Sequence, residues 1–323
     1  MVNKLKSSPL VSVVMNCYNS EKFLKEAIDS VYHQKYKNWE IIFWDNQSKD
    51  NSAEIAKSCD NRLKYYYADK HTSLGMARKR AVNLCNGELI AFLDCDDIWM
   101  PEKLLLQVEK ITSGNFSMCY GGCTDIDENG NHLRSIVPKY SDGFMFENLL
   151  YQWDINMPSI LVRKADLNRL NLNFDENIYA SEEYCLFMQL AVTTQFCTID
   201  KPIVKWRIRS NSLTSQQISK IAHERRYTLD KIIKNHKDIR LKYPNAFNEA
   251  YARSYYYDAT YYMSINNKKK ARKCMQSIKD INYKYKILFY ILYLPSFVWK
   301  FIASEKIKRK YLAFIFNISK YYE

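Results

Sequence analysis

At 323 residues, with 47% hydrophobic and 26% charged residues, the chain can bury a full core and fill two domains, which excludes a disordered or fibrous protein. Its net charge of +13 is concentrated at one end: from Ser264 onward 14 Lys and Arg face three acids, whereas the first 263 residues hold 34 basic and 32 acidic groups. Basicity confined to a tail argues against a uniform nucleic-acid-binding surface, and no nucleic-acid partner is expected. The nine cysteines form no CxxC pair and no zinc-ligand spacing, which predicts reduced thiols in the cytoplasm. The first apolar run is short and broken by Ser12, so no signal peptide is expected.

Val11 to Met15 is an apolar, β-branched run that fits a strand buried on both faces, and it ends in Asn16, Cys17, Tyr18 and Asn19. Between Glu21 and Gln34, Phe23, Leu24, Ala27, Ile28 and Val31 recur at helical spacing and predict a crossover helix. Glu40 to Trp44 repeats the buried-strand pattern and ends in Asp45, with Asn46 to Asp50 as loop and helix cap. A helix over 52–58, a strand over 63–67 and a helix over 74–84 lead to the next apolar run at Leu89. This alternation predicts a doubly wound, mainly parallel α/β sheet with helices on both faces. Ligands of such sheets sit outside the carboxyl ends of the strands, so Asn16, Tyr18, Asp45 and Asp94 are expected on one edge. The seven glycines form neither GxGxxG nor GxxxxGK[ST], which removes the usual dinucleotide and P-loop sites.

Leu89 to Trp99 reads LIAFLDCDDIW: a short apolar strand that emerges into Asp94, Asp96 and Asp97. Carboxylates are costly to bury unpartnered, so the cluster fits a divalent cation with oxygen ligands, Mg²⁺ or Mn²⁺. It fits equally an acidic turn before the next helix, whose first turn would hold Pro101. A helix to about Ile111, a strand over 116–122, a polar hairpin centred on Glu128 to Gly130 and a strand over 158–163 come next. Ser181 is placed to cap a helix whose first turn contains Glu182 and Glu183, a pair that by itself fits compensation of the helix dipole. In KWRIRSNSLT, Arg207 and Arg209 stand two apart and share a side if the segment is extended. Two adjacent guanidiniums suit a diphosphate, or simply a solvated strand face.

Beyond Gln216 the pattern is helical, and Ala250 to Ile278 fits a single helical hairpin. Ile287 to Trp299 is apolar or aromatic except for Pro295 and Ser296 and is shorter than the roughly 20 residues a membrane span needs, so it is not expected to cross. Ile307, Tyr311, Phe314, Ile315, Ile318 and Tyr322 recur at helical spacing among Lys306, Lys308, Arg309, Lys310 and Lys320. Such a basic, aromatic-rich stripe lies on the headgroup layer of an anionic membrane, or packs on the rest of the chain.

Four segments in this order, VSVVMNCYNSEKFLKEAIDSVYHQKYKNWEIIFWDNQSKDNS, ARKRA, GELIAFLDCDDIWMPEKL and SEEYCLFMQLA, resemble the glycosyltransferase family 2 type over about residues 9–214. These are inverting enzymes with a GT-A fold, often of bacterial surface-polysaccharide synthesis. The resemblance implies a catalytic domain over 1–215 and a helical, basic C-terminal region over 216–323. It implies that Asn16, Tyr18, Asn19, Asp45 and Asn46 hold the nucleotide. Tyr18 can stack on a base, and Asp45 can accept from an imide N–H such as uracil offers. Asp94, Cys95 and Asp96 look like the family's DxD, with Asp96 on the metal, Asp94 on ribose or metal, and Asp97 as an adjacent acid. Arg78 matches the arginine of the ARN segment. Glu183 stands where the family has the Asp of its ED motif, the general base, and its neighbour Glu182 is the second candidate for that role. Arg209 stands where the family often has His, and with Arg207 retains a diphosphate role.

The expected activity is metal-dependent, inverting transfer of a sugar from a UDP-sugar to a saccharide or lipid-linked acceptor. The expected location is the cytoplasm, peripheral on the inner face of an anionic cell membrane. The other reading is a non-catalytic membrane or nucleic-acid-binding protein on a degenerate GT-A fold.

Overall fold

A computed structural model describes residues 8–209 and 217–303. By chain contacts these form one unit over 8–146 and 154–209 and a second over 147–153 and 217–303.

In the first unit, β1 (Val11–Cys17) lies between two parallel neighbours, β2 (Trp39–Asp45) and the later β4 (Leu89–Phe92). β3 (Leu63–Tyr67) pairs in parallel outside β2. Strands and connecting helices alternate as the apolar runs predict: α1 (Glu21–Tyr32), α2 (Ser52–Lys57) and α3 (Leu74–Asn83). Leu24, Ala27, Ile28 and Val31 of α1 are fully buried against the sheet, which is why their spacing reads as helical. The chain runs outward from β1 to β3 and then returns to β4 on the other side of β1. That reversal opens a crevice at the carboxyl ends of β1 and β4.

The sheet continues through shorter, mixed pieces. After β5 (Ile98–Trp99) and α4 (Lys103–Thr112) come β6 (Phe116–Ile126), β7 (His132–Ile136) and β8 (Leu161–Arg163), while α5 (Phe146–Tyr151), between β7 and β8 in the chain, belongs from Glu147 on to the second unit. Next are α6 (Lys164–Arg169), α7 (Glu182–Ala191) and β9 (Gln195–Arg207). The order is β3-β2-β1-β4-β8-β6-β9-β5, with β7 paired to β6. β8 is antiparallel to both β4 and β6, so the two parallel blocks are joined by a reversed strand.

Lys103 is a buried amine at the heart of this unit. Its Nζ donates to Gln107 Oε1 at 2.7 Å and lies 4.0 Å from the Trp99 ring centroid. Burial pushes this ammonium down from 10.5 to about 7, against a small upward pull from Cys119. Above that value the folded lysine is neutral while the unfolded chain still binds a proton, so this group makes stability rise from about pH 7 towards pH 10. Lys103→Met is expected to be more stable than the parent at pH 6 and to have lost that upward slope. Parallel melting curves for parent and variant across the range would sink the idea.

The second unit is helical: α8 (Ile218–Asn235), α9 (Ile239–Lys242), α10 (Pro244–Ser264), α11 (Lys268–Gln276), α12 (Tyr283–Ile291) and α13 (Ser296–Ala303). α10 and α11 make the expected hairpin, and Asn267 caps α11 by accepting from the Lys270 N–H. Ala252, Ala259, Met263, Ala271, Met275, Leu288, Phe289 and Trp299 are part of its core. Pro295 separates α12 from α13, and among the described residues no helix is long and apolar enough to cross a membrane. The stripe expected over 307–322 lies outside the described residues.

Candidate active site

The carboxyl edge is built from turns that bond to one another. Asn19, at φ 50°, donates its backbone N–H to Ser48 Oγ at 3.1 Å and accepts from the Lys49 N–H at 2.8 Å, which joins the turns after β1 and β2. Asp45 is fully buried, accepting from the Ser48 N–H at 2.7 Å and the Tyr65 hydroxyl at 2.6 Å. Burial and the Asp45 charge together push the Tyr65 phenol well above its ordinary range, so it remains a donor. Asn46 grips the loop after β3: its Nδ2 donates to Thr72 O at 2.8 Å and its Oδ1 accepts from the Thr72 N–H at 3.1 Å.

That grip carries His71 to the edge, where its ring centroid lies 4.3 Å from that of Tyr18. His71 Nδ1 meets Asn46 O at 2.8 Å. A carbonyl only accepts, so Nδ1 holds the proton and Nε2 is the nitrogen left for another partner. The sequence reading missed His71, because a lone histidine in a loop has no periodicity to mark it. Tyr18 is 49% exposed, and the Nδ2 of Asn16 beside it is buried without a hydrogen-bond partner.

Across the crevice, Arg78 of α3 joins two acids from distant parts of the chain. Its Nη2 donates to Asp94 Oδ1 at 2.7 Å and its Nη1 to Glu182 Oε1 at 2.6 Å. Gly75, one turn earlier, permits this: a Cβ there would meet Ile178 O at 3.3 Å and Glu182 Cβ at 3.4 Å. Burial would lower the Arg78 guanidinium, but the charges of Asp94, Glu182 and Glu183 outweigh it and hold it above its ordinary value. Burial pushes Glu182 up to about 7, with Arg78 pulling it down and Glu183 pushing it up further. Glu183, the next residue of α7, is only partly buried. The adjacent pair is thus divided into a buried, arginine-bound acid and a more accessible one.

Asp96 accepts from Arg209 Nη2 at 2.6 Å, and burial and the Asp94 charge raise its carboxyl despite that guanidinium. Asp97 is buried, accepts from the Arg207 N–H at 2.9 Å through Oδ1, and leaves Oδ2 without a partner. Burial, then Asp94 and Asp96, push it well above the ordinary carboxylate range. Negative charge is therefore crowded on hard oxygens here, and a divalent cation would relieve the crowding. Among the described residues no three acid, His or Cys side chains form a closed cage. An open set of one or two carboxylates, completed by substrate phosphates, is how Mg²⁺ and Mn²⁺ sites are commonly built, so the residues fit such an ion.

Arg207 and Arg209 are not equivalent. β9 ends at Arg207, whose guanidinium is buried over the Phe23 ring. It donates to Asp96 O at 2.9 Å, Glu128 O at 3.1 Å, Asp127 O at 3.3 Å and Glu26 Oε2 at 2.6 Å. It thereby fixes the backbone of the Asp96 loop. Arg209, with a side chain 40% exposed, is the guanidinium that faces solvent.

Comparison with known proteins identifies the family. The family model described as Glycosyl transferase family 2 matches residues 12–166. An uncharacterized glycosyltransferase of Methanocaldococcus jannaschii is 31% identical over 237 residues, 71% of this chain and 81% of that protein. The Escherichia coli UDP-Glc:alpha-D-GlcNAc-diphosphoundecaprenol beta-1,3-glucosyltransferase WfgD is 28% identical over 218 residues, 67% of this chain and 83% of that one. Against three Rickettsia glycosyltransferases, each 31% identical, the chain spans about a third of the relative's length, 31–35%. In three dimensions, Staphylococcus aureus TarS 1–349 in complex with UDP-GlcNAc superimposes with a TM-score of 0.68 at 19% identity, covering 88% of this chain and 87% of that one. The chain belongs to glycosyl transferase family 2.

Proposed function

We propose that this chain is a metal-dependent, inverting glycosyltransferase that moves a sugar from a UDP-sugar to a saccharide or lipid-linked acceptor in cell-surface polysaccharide synthesis, working peripherally at the inner face of the membrane. The observation that carries the reading is Arg78, which ties Asp94 at the carboxyl end of the sheet to Glu182, next to the base candidate Glu183. Tyr18 supplies an exposed ring for the nucleobase, and Asn16, Asn19, Asp45 and Asn46 shape the turns around it. Asp96, with Asp94, would hold Mn²⁺ or Mg²⁺, which when bound neutralises charge on the leaving diphosphate. Arg209 pairs with Asp96 in the free protein and is placed to turn to diphosphate oxygens. Arg207 keeps the loop in register, and Asp97 is too buried to be more than a support for it.

In the transfer step the acceptor oxygen attacks the anomeric carbon as the bond to the diphosphate breaks. Glu183 takes the hydroxyl proton, and the new glycosidic bond has inverted configuration. Support for the donor class comes from the TarS complex with UDP-GlcNAc, and for the ion from a Pyrobaculum calidifontis mannosyltransferase, PcManGT, in complex with GDP-Man and Mn²⁺, which has a TM-score of 0.55. WfgD, by its name, acts on a diphosphoundecaprenol-linked sugar, which supports a lipid-linked acceptor.

The test is thermal stabilisation by UDP with Mn²⁺. Saturation to about 100 times Kd adds ~2.7 kcal/mol, or roughly 5–10 °C for a domain near 200 residues. Asp96→Ala should lose the Mn²⁺-dependent part, as should the parent in EDTA. A parent with no shift on UDP and Mn²⁺ would favour a non-catalytic binding protein. A screen of nucleotide-sugar hydrolysis by mass spectrometry then names the donor.

A further inference from the structure

The helical unit carries an apolar face that its own core does not cover. On α12, Tyr285, Leu288 and Phe289 pack inward. Tyr283, Ile287 and Tyr290 follow one another along a second side of the same helix and are exposed. The exposed surface continues through the turn into α13 with Tyr293, Leu294 and Phe297, and Tyr290 and Tyr293 are each 57% exposed and Phe297 71%. A helix that is apolar on both sides is ordinarily covered on both, and a continuous exposed patch of this kind marks a contact surface.

Positive charge rims the patch. Lys268 Nζ donates to Leu294 O at 2.5 Å, and Arg272 donates to Leu292 O at 3.1 and 3.0 Å with its guanidinium 4.3 Å from the Tyr293 ring centroid. Lys279 Nζ lies 5.3 Å from the Phe289 ring centroid, and α12 itself carries Lys284, half-buried, and Lys286, exposed. Over 264–303 nine Lys and Arg face a single acid, Asp280.

We propose that this face of α12 and α13 seats in the headgroup layer of an anionic lipid bilayer. The tyrosines and Phe297 enter the acyl boundary, and the rim of Lys and Arg meets lipid phosphates. Tyrosine, with an apolar ring and a wet hydroxyl, suits that layer. Lysine is depleted in protein–protein interfaces, which makes a bilayer a better match for this rim than a protein partner. The proposal rests on the peripheral location proposed above and on neither the metal nor the donor, so failure to float would leave the transferase reading, tested by UDP with Mn²⁺, untouched.

The test is flotation of the full chain with phosphatidylcholine vesicles that contain or lack phosphatidylglycerol. The parent is expected to float only with the anionic vesicles. Tyr290→Ser with Phe297→Ser should lower partitioning about tenfold or more through lost apolar burial. Lys284→Glu with Lys286→Glu should lower it about fivefold or more per lysine. Both variants change side chains outside the core, so an unchanged melting midpoint shows that the fold is intact. The proposal is overturned if the parent fails to float, if it floats equally with neutral vesicles, or if the Tyr290 and Phe297 double variant floats like the parent. It is also overturned if those two substitutions instead dissolve a self-association of the chain.

Discussion

Glu183→Gln is expected to lower the transfer rate by about 10²- to 10⁴-fold, the contribution typical of a general base, and to leave the stabilisation by UDP and Mn²⁺ unchanged. Glutamine keeps the size of the side chain but cannot accept the acceptor's proton, so binding and chemistry separate in this one variant. The reason to expect the effect at Glu183 is the division within the pair: Glu182 is buried and bound to Arg78, while Glu183 is partly accessible at the start of α7. Glu182→Gln should therefore cost more stability and less turnover. Glu183→Asp tests placement. The family has Asp at this position, where this chain has the longer Glu, and retreat of the carboxylate by about 1 Å can cost ~100-fold. Turnover of Glu183→Gln within tenfold of the parent would move the base elsewhere.

Much of the sheet was legible because its strands are buried on both faces. Val11 to Met15 and Leu89 to Leu93 are apolar at every position except Ser12, and Ser12 is satisfied by donating to Glu40 Oε1 at 2.6 Å. A buried strand that ends abruptly in acids or amides also announces the functional edge, as at Asp45 and Asp94. The place of β8 was not legible, since its three residues fit between β4 and β6 only through pairing across long stretches of chain. The spacing of Arg207 and Arg209 implied a shared side, and both guanidiniums do reach Asp96, Arg207 at the backbone carbonyl and Arg209 at the carboxylate. Spacing could not show that the first is buried under carbonyl groups while the second is exposed, because that difference comes from Glu26, Asp127 and Glu128, far away in the chain. His71 depends on the Asn46 carbonyl and the Thr72 backbone, contacts between loops about 25 residues apart that leave no local pattern.

Arg78→Met should cause the largest loss of stability in the site. Removing one partner of a buried ion pair costs about 3–5 kcal/mol, because the other charge is left in a poorly solvated place. At roughly 2–4 °C per kcal/mol for a domain of 150–250 residues, the melting midpoint should fall by about 10 °C. Most of that belongs to Glu182, because Asp94 has a side chain 35% exposed and keeps water as a partner. The pH dependence identifies the cause. Burial holds Glu182 at about 7 in the folded parent against 4.5 ordinarily, so between those values the folded state binds more protons and stability from this group falls as pH rises. Without Arg78 the folded carboxyl titrates higher still, and the decline continues above pH 7. The difference in melting midpoint between parent and Arg78→Met should accordingly widen from pH 5.5 to pH 8. Adding Glu182→Gln to Arg78→Met should recover part of the loss and flatten that dependence, since neither charge is then left alone. A pH-independent loss, or a variant that melts with the parent at pH 8, would show that Arg78 does not hold Glu182 in the way the geometry indicates.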